Sequence, residues 1–300
     1  MKKAPQSKVI LGFAAVYVIW GTTYLAIKFG ISEIPPFLMA SLRYSIAATV
    51  LTAISVILKK ELTKVPILRN MLLGGFMLSL GQGILFWAEL HLSSGLTAVL
   101  VSTLPICYII VDRTNWKNYF HSKVTLLGIV LGLAGVALLF SEQLGSNSEG
   151  EKMTLIASLA VIGSCLCWAW GSIYYKNHTC GPLMPEVSWQ LVGGAIACLV
   201  VSASTEPLTS VDIFSFSLRA WGSVVYLAIA GSVIAFTASY YLLSVRPPAV
   251  VGTYAYVNPI IAVLLGVLIA GEHVSTIQGI GIAVILIAAY LSNRAKFKAK

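Results

Sequence analysis

The chain has 300 residues, of which 58% are hydrophobic and 10% are charged, and its mean hydropathy is +0.87. Soluble domains average about half apolar and about a quarter charged residues, so this composition excludes an ordinary soluble or disordered protein. The net charge of +9 is confined to short stretches between apolar runs, a pattern typical of membrane topology and not of a nucleic-acid-binding surface.

Ten apolar runs are each long enough, at about 20 residues, to cross the hydrocarbon core as a helix. In chain order they cover residues 9–29, 36–58, 70–90, 94–112, 123–141, 154–176, 186–204, 219–242, 249–270 and 275–293. They lack the alternating polarity of membrane-spanning strands. The sequence therefore predicts an all-α, polytopic membrane protein with ten transmembrane helices.

Most lysines and arginines fall in loops on the side of the N-terminus, which predicts that both termini are cytoplasmic and that the chain lies in the inner membrane. The polar, acidic segment 142–153 is predicted to be an external linker. It separates a first unit, residues 1–141, from a second unit, residues 154–300, which ends in a basic cytoplasmic tail.

Matching motifs recur at a nearly fixed offset. WGTxY at 20–24 is followed 150 residues later by WGSxY at 170–174, and Leu92-Ser93 is followed 151 residues later by Leu243-Ser244. Because five helices per unit is an odd number, the second unit would be inverted in the bilayer. The repeats therefore predict two inverted five-helix units.

Three stretches resemble the EamA-type transporters of the drug/metabolite transporter superfamily: WGTxY, FWAELHLSSGLTAVLVSTLP and YVNPIIAVLLGVLIAGEHVSTIQGIGIAVIL. GEHVS at 271–275 is similar to the family's motif after helix nine, whereas DRTNWKN at 112–118 departs from it in the first unit. The resemblance implies a ten-helix bundle with a central cavity that exports small organic solutes.

Two mid-helix prolines, Pro105 and Pro259, predict helices that line the transport pathway. Proline leaves backbone groups without helical partners, so these groups need polar neighbours or a wet cavity. Ser102 and Asn258 lie close by in sequence to supply hydrogen bonds. A packing kink is the alternative for both prolines.

Aromatic side chains in helices one and six are further candidates for the substrate pathway. We expect Trp20, Tyr24, Trp170 and Tyr174 to line a cavity, although an aromatic belt at the lipid interface explains them as well. Trp87 and Tyr254 are weaker candidates, because aromatic residues on an apolar helix are often core.

Three charged residues stand out within or beside the apolar runs. Glu89 ends helix three, where a raised pKa would let the carboxyl carry a coupling proton; a solvated carboxylate at the boundary is the alternative. Arg43 lies about two turns into helix two and is predicted to pair with an acid such as Glu33 or Glu272 as a gate, unless it snorkels to the headgroups.

The function predicted from these features is secondary transport of small organic metabolites or drugs, such as amino acids or amphipathic compounds, by alternating access. Export follows from the resemblance, and an importer or facilitator of the same fold is the alternative. A membrane-embedded lipid-modifying enzyme is disfavoured, because the histidines are dispersed. We expect no catalytic activity, metal, cofactor or nucleic-acid partner; a monomer and a homodimer both remain open.

Overall fold

The computed structural model describes residues 5–113, 116, 123–141, 149–246, 248–252 and 254–294, and these residues form helices without a strand. Most of the predicted linker, residues 142–148, and the basic tail after 294 lie outside the described residues. The helices of the first part of the chain are α1 (Gln6–Gly30), α2 (Pro36–Ile57), α3 (Ile67–Ala88), α4 (Ser94–Val111) and α5 (Lys123–Ser141). Those of the second part are α6 (Glu149–His178), α7 (Leu183–Thr205), α8 (Leu218–Val245), α9 (Pro248–Val251 and Tyr254–Ala270) and α10 (Thr276–Arg294).

Within the described ranges, seven helices are long and apolar enough to cross a membrane, namely α1 to α4 and α6 to α8. Shorter apolar helices follow at Val257–Ala270 and Gly279–Ala288. Many large apolar side chains on these helices are exposed, as expected when lipid is the solvent. The chain is therefore an all-α, multi-pass membrane protein, and the number of ten spans stays a prediction.

The packing order of the helices places α4 at the centre of the bundle. In α4, 83% of an 18-residue apolar stretch is buried inside the protein, against 39–56% of the corresponding stretches in the other six spans. Around it, α1 packs against α8 and α9, while α6 packs against α3 and α4. The remaining large contacts join α2 with α7 and α8, α3 with α7, α4 with α9, and α5 with α10.

Four of the helices are irregular near the bundle centre. The middle of α3, Phe76–Gly83, and the middle of α8, Leu227–Phe236, are π-helical, a widened form that is often found at functional sites. The α4 helix breaks at Ser102–Thr103, just before Pro105, as the proline predicts. Pro259 instead lies inside a continuous stretch of α9, and the interruption of that helix falls earlier, after Val251.

Candidate functional site: a central aromatic cavity

A small internal cavity lies where α1, α3, α4, α6 and α9 meet. Its volume is about 40 Å³, enough for on the order of three water molecules and too small for a drug-sized solute. None of the described side chains that line it carries a formal charge. They are Trp20, Thr23, Tyr24, Ile27, Gly81, Gln82, Leu85, Val101, Leu104, Ser164, Cys165, Trp168, Tyr254 and Asn258.

Three aromatic rings from three helices form one wall of the cavity. Trp20 makes edge-to-face contacts with Trp168 of α6 and with Tyr254 of α9, at centroid distances of 5.8 and 4.7 Å. The Trp20 indole nitrogen donates a hydrogen bond of 3.1 Å to the carbonyl oxygen of Gly231, in the π-helical segment of α8. This hydrogen bond and the two ring contacts hold the buried indole at the cavity wall.

The structure pairs Trp20 with Trp168 and not with Trp170. Trp170, two residues further on, is 46% exposed and lies on an outer groove with Phe76 and Tyr174, away from the cavity. Tyr174 stacks on Trp170 with a centroid distance of 5.2 Å. The matched WGxxY motifs point to Trp170, whereas the cavity is lined by Trp168, the other tryptophan of the Trp-Ala-Trp sequence at 168–170.

The polar candidates of α4 and α9 are buried beside the cavity. The amide nitrogen of Asn258 donates to the backbone oxygens of Tyr17 and Tyr254 at 3.1 and 3.0 Å, in the orientation that satisfies its neighbours. Ser102 donates to the carbonyl of Val99 at 2.5 Å at the helix break. Pro105 and Pro259 are buried on the same two helices, but neither contacts the cavity directly.

Glu89 lies just beyond the last turn of α3 and is fully buried. Neither of its carboxylate oxygens has a hydrogen-bond partner in the described part of the chain. The charged side chains that act on it electrostatically are Lys28 of α1 and Glu272, which follows α9. Trp87, two residues earlier, is half-buried and packs its ring against exposed His91, at a centroid distance of 5.3 Å.

Glu272 is engaged at the N-terminus of α4 and not with Arg43. One of its carboxylate oxygens accepts bonds from the backbone N–H and the hydroxyl of Ser94, at 2.8 and 2.9 Å, and the other accepts from the N–H of Gly95 at 3.2 Å. A carboxylate in this position satisfies free N–H groups and complements the helix dipole. The predicted Arg43–Glu272 pair is thus absent from this structure.

The other acid named as a partner of Arg43, Glu33, also binds a helix N-terminus. Its two carboxylate oxygens accept from the backbone N–H and the hydroxyl of Ser217, the residue that precedes α8, at 2.7 and 2.6 Å. These hydrogen bonds lower the pKa of the Glu33 carboxyl. Arg43 itself is buried and donates from Nε to the hydroxyl of Ser232 at 2.8 Å.

Two lysines 148 residues apart make equivalent contacts with the ends of other helices. Lys28 of α1 donates to the carbonyl oxygens of Glu89 and Leu92, at 2.8 and 3.1 Å, at the C-terminus of α3. Lys176 of α6 donates to the carbonyl oxygen of Arg246 at 2.9 Å, at the C-terminus of α8. Trp20 and Trp168 share this spacing of 148 residues.

The cavity residues that sequence reasoning missed include Trp168 and Gln82. Gln82 is a polar amide inside the apolar run of α3, which is a signal that could have identified it. The available signal for Trp168 was the spacing of Lys28 and Lys176. These lysines are 148 residues apart, and the same offset pairs Trp20 with Trp168.

These observations define a multi-pass membrane protein with an internal cavity between its helices. The sequence profile of the EamA-like transporter family matches residues 7–141 and again residues 155–294. The chain belongs to this family, and it is therefore a membrane transporter.

Relatives along nearly the whole length agree with this assignment. The chain is 34% identical over 286 residues to the "uncharacterized inner membrane transporter YedA" of Escherichia coli (strain K12), covering 94% of this chain and 90% of that protein. It is 23% identical to the "probable amino-acid metabolite efflux pump" of the same organism, over 92% of each chain. One protein of known crystal structure shares the fold, with a TM-score of 0.68, 21% identity and coverage of 95% and 97%.

Proposed function

We propose that this protein is a secondary carrier of the inner membrane that exports small organic solutes by alternating access through the central cavity. The observation that carries the proposal is the small cavity lined by uncharged side chains, with Trp20, Trp168 and Tyr254 on its wall, at the meeting point of both parts of the chain. The relatives' names support export and the inner membrane, since they include an efflux pump and an inner membrane transporter.

The arrangement of α1 and α6 supports an inverted repeat. Glu33, just after α1, binds the N-terminus of α8, whereas Lys176, near the end of α6, binds the C-terminus of the same helix. The ends of α1 and α6 therefore lie at opposite ends of α8. In addition, the helix contacts repeat when each helix is replaced by the one five positions further along, counting on from α10 to α1. The α1–α9 contact then becomes α6–α4, and the α3–α7 contact becomes α8–α2. These are the relations that alternating access between two inverted units requires.

The chemistry of the cavity favours amphipathic solutes. Aromatic faces supply apolar contact and bind cations, while Gln82 and Asn258 offer amide groups for polar atoms. The small volume of the cavity fits an occluded state in which the helices have closed, so a bound solute requires the aromatic wall to move. Aromatic amino acids and organic amines are the first solutes to test.

The test compares two tryptophans of the same helix in proteoliposomes. Gradient-driven efflux of a panel of aromatic amino acids and organic amines should be seen with the wild type. Trp168→Ala should reduce the flux by at least about tenfold, the loss expected when a buried aromatic contact worth about 1.4 kcal/mol or more is removed from a site. Trp170→Ala, on the outer groove, is the matched control and should retain the flux.

Folded wild-type protein that moves none of the panel would contradict the carrier proposal. Equal losses in the two variants would remove the central cavity from the pathway. Uptake of the solute in the same direction as a driving proton gradient, instead of counterflow against it, would favour the second candidate, an importer.

Glu89 supports proton coupling within this proposal. A carboxyl group that is fully buried without hydrogen-bond partners favours its neutral form, and Glu272 adds to this effect while Lys28 opposes it. Glu89 lies within electrostatic range of Tyr24, one of the residues that line the cavity. We expect opening of this end of the bundle to hydrate Glu89 and release its proton.

The variant that tests coupling is Glu89→Gln, with Glu61→Gln as the control for loss of one negative charge at an exposed site. Glu89→Gln should abolish the acceleration of flux by an imposed pH gradient, while Glu61→Gln should respond to the gradient as the wild type does. An unchanged response of Glu89→Gln would exclude Glu89 from coupling.

A further inference from the structure

Arg43 is a buried cation without a carboxylate partner. Its side chain is 3% exposed, and its Nε–H donates to the hydroxyl of Ser232. The guanidinium lies against the rings of Tyr44 and Phe86, with centroids 5.2 and 5.7 Å away. The ion pairs among the described residues are Glu61–Lys64 and Glu186–Arg69, and neither involves Arg43.

A buried guanidinium without a carboxylate partner destabilises the folded protein unless an anion binds it during part of the transport cycle. A charge inside a membrane protein is normally paired with an opposite charge or lines a pathway. Contacts with aromatic faces and one hydroxyl stabilise a guanidinium less than a carboxylate does, because its planar fork is suited to two parallel hydrogen bonds with a carboxylate.

The side chain of Arg43 lies beside the central cavity. Arg43 lines a second, narrower cleft together with Ser232, and that cleft shares Trp20, Gln82 and Trp168 with the central cavity. The absence of a side chain at Gly231 leaves space for the guanidinium, because a Cβ atom at this position would lie 2.9 Å from Nη2 of Arg43. Its carbonyl also accepts the Trp20 hydrogen bond. The same π-helical segment therefore positions both the cation and the ring that screens it.

We propose that Arg43 binds the carboxylate of the transported solute once the Trp20 ring leaves Gly231, which makes Arg43 the residue that selects carboxylate-bearing, amphipathic solutes. This inference rests on the proposed function only in taking the central cavity as the solute site. The apolar part of the solute lies among the aromatic rings, and its carboxylate binds the guanidinium in place of the Ser232 hydroxyl.

The experiment measures equilibrium binding to the purified full chain in detergent, with tryptophan fluorescence and calorimetry as readouts. The probes are 3-phenylpropionate and its uncharged amide, which share an apolar part and differ in the charge. Wild type should bind the carboxylate at least about tenfold more tightly than the amide. Equal affinity for the two would overturn the proposal without any variant.

Variants then assign the preference to one residue. Arg43→Gln should bind both probes equally, and Arg43→Lys should keep part of the preference, because the charge remains without the bidentate geometry. Arg219→Gln removes an exposed arginine that lies over Phe29 and is the matched control, with the preference intact. A folded Arg43→Gln protein that retained the preference would overturn the proposal.

Inorganic anions form the remaining arm. Sodium chloride and sodium phosphate should compete with 3-phenylpropionate only weakly, and strong competition without carboxylate preference would assign Arg43 to a small inorganic anion instead. A protein that binds the carboxylate probe but moves no solute in liposomes would refute the carrier proposal and leave the role of Arg43 standing. A protein that carries solutes but shows no preference for the carboxylate probe would refute the role of Arg43 and leave the carrier proposal standing.

Discussion

The α3–α7 and α2–α8 crossings correspond under a shift of five helices, yet their backbones approach each other very differently. At the α3–α7 crossing, a Cβ atom on Gly193 would lie 1.9 Å from the carbonyl oxygen of Met71, and one on Gly74 would lie 2.0 Å from that of Gln190. At the α2–α8 crossing the side chain of Arg43 lies between the helices and contacts Gly231 and Ser232.

This difference indicates which crossing is rigid and which one can move. Backbones in direct contact cannot slide without losing close packing, as small-residue interfaces in membranes show. A crossing filled by one long side chain can reorganise by a change of rotamer. We infer that α3 and α7 move together, while α8 moves relative to α2 and exposes Arg43.

The largest expected effect is that of Gly193→Ala. The added methyl group would collide with backbone of α3, which no rotamer change can relieve, so we expect a loss of about 3 kcal/mol in the free energy of unfolding. Gly222→Ala on α8 is the matched control, because nothing lies within 4 Å of a Cβ there. It should be neutral or stabilise by up to about 1 kcal/mol. Denaturation in mixed micelles measures both, and equal effects would contradict the rigid crossing.

The C-termini of α3 and α8 provide the second comparison. Lys28→Met removes a charged donor from two carbonyl oxygens, so it should lower the free energy of unfolding by about 2 kcal/mol. Lys176→Met removes a charged donor from one carbonyl oxygen and should lower it by about 1 kcal/mol. The same denaturation experiment measures this order. Since Lys28 also faces Glu89, adding Glu89→Gln should recover part of the first loss; no recovery would show that the two groups act independently.

Gly231→Ala is expected to have a smaller effect on stability and a specific effect on the α2–α8 crossing. The new methyl group meets the end of a flexible arginine side chain, which can shift at a cost of about 1 kcal/mol. The displaced guanidinium should weaken binding of 3-phenylpropionate and leave binding of its amide unchanged. Gly222→Ala, on the same helix but with nothing within 4 Å of a Cβ, serves as the control and should leave binding of both probes unchanged. Loss of binding for both probes would indicate general damage to the cavity.

The membrane class and the approximate helix limits were predictable from the sequence, because lipid as a solvent imposes long apolar runs. The sequence also located Trp20, Tyr254 and Asn258, which line the cavity. It could not choose between Trp168 and Trp170, because both are compatible with the same apolar helix and only the packing of α6 against α4 decides which one faces inward. The partners of Glu33 and Glu272 were not predictable either, since unsatisfied N–H groups at helix ends compete with Arg43 for carboxylates and become visible only when the ends are placed.

The smallest expected effect on stability is that of Glu33, which accepts hydrogen bonds at the N-terminus of α8. The hydrogen bonds from Ser217 lower its pKa in the folded state, so the carboxylate contributes stability above its ordinary pKa of about 4.3 and loses that contribution as the pH falls through the folded value. The unfolding temperatures of wild type and Glu33→Gln should therefore differ most near pH 7 and converge as the pH falls through the lowered pKa of the folded state. Glu61→Gln controls for the change in net charge, because Glu61 pairs only with neighbouring exposed Lys64 in the described contacts. A gap between wild type and Glu33→Gln that widened on acidification would place the stabilising form of Glu33 in the protonated state and contradict its role at the α8 terminus.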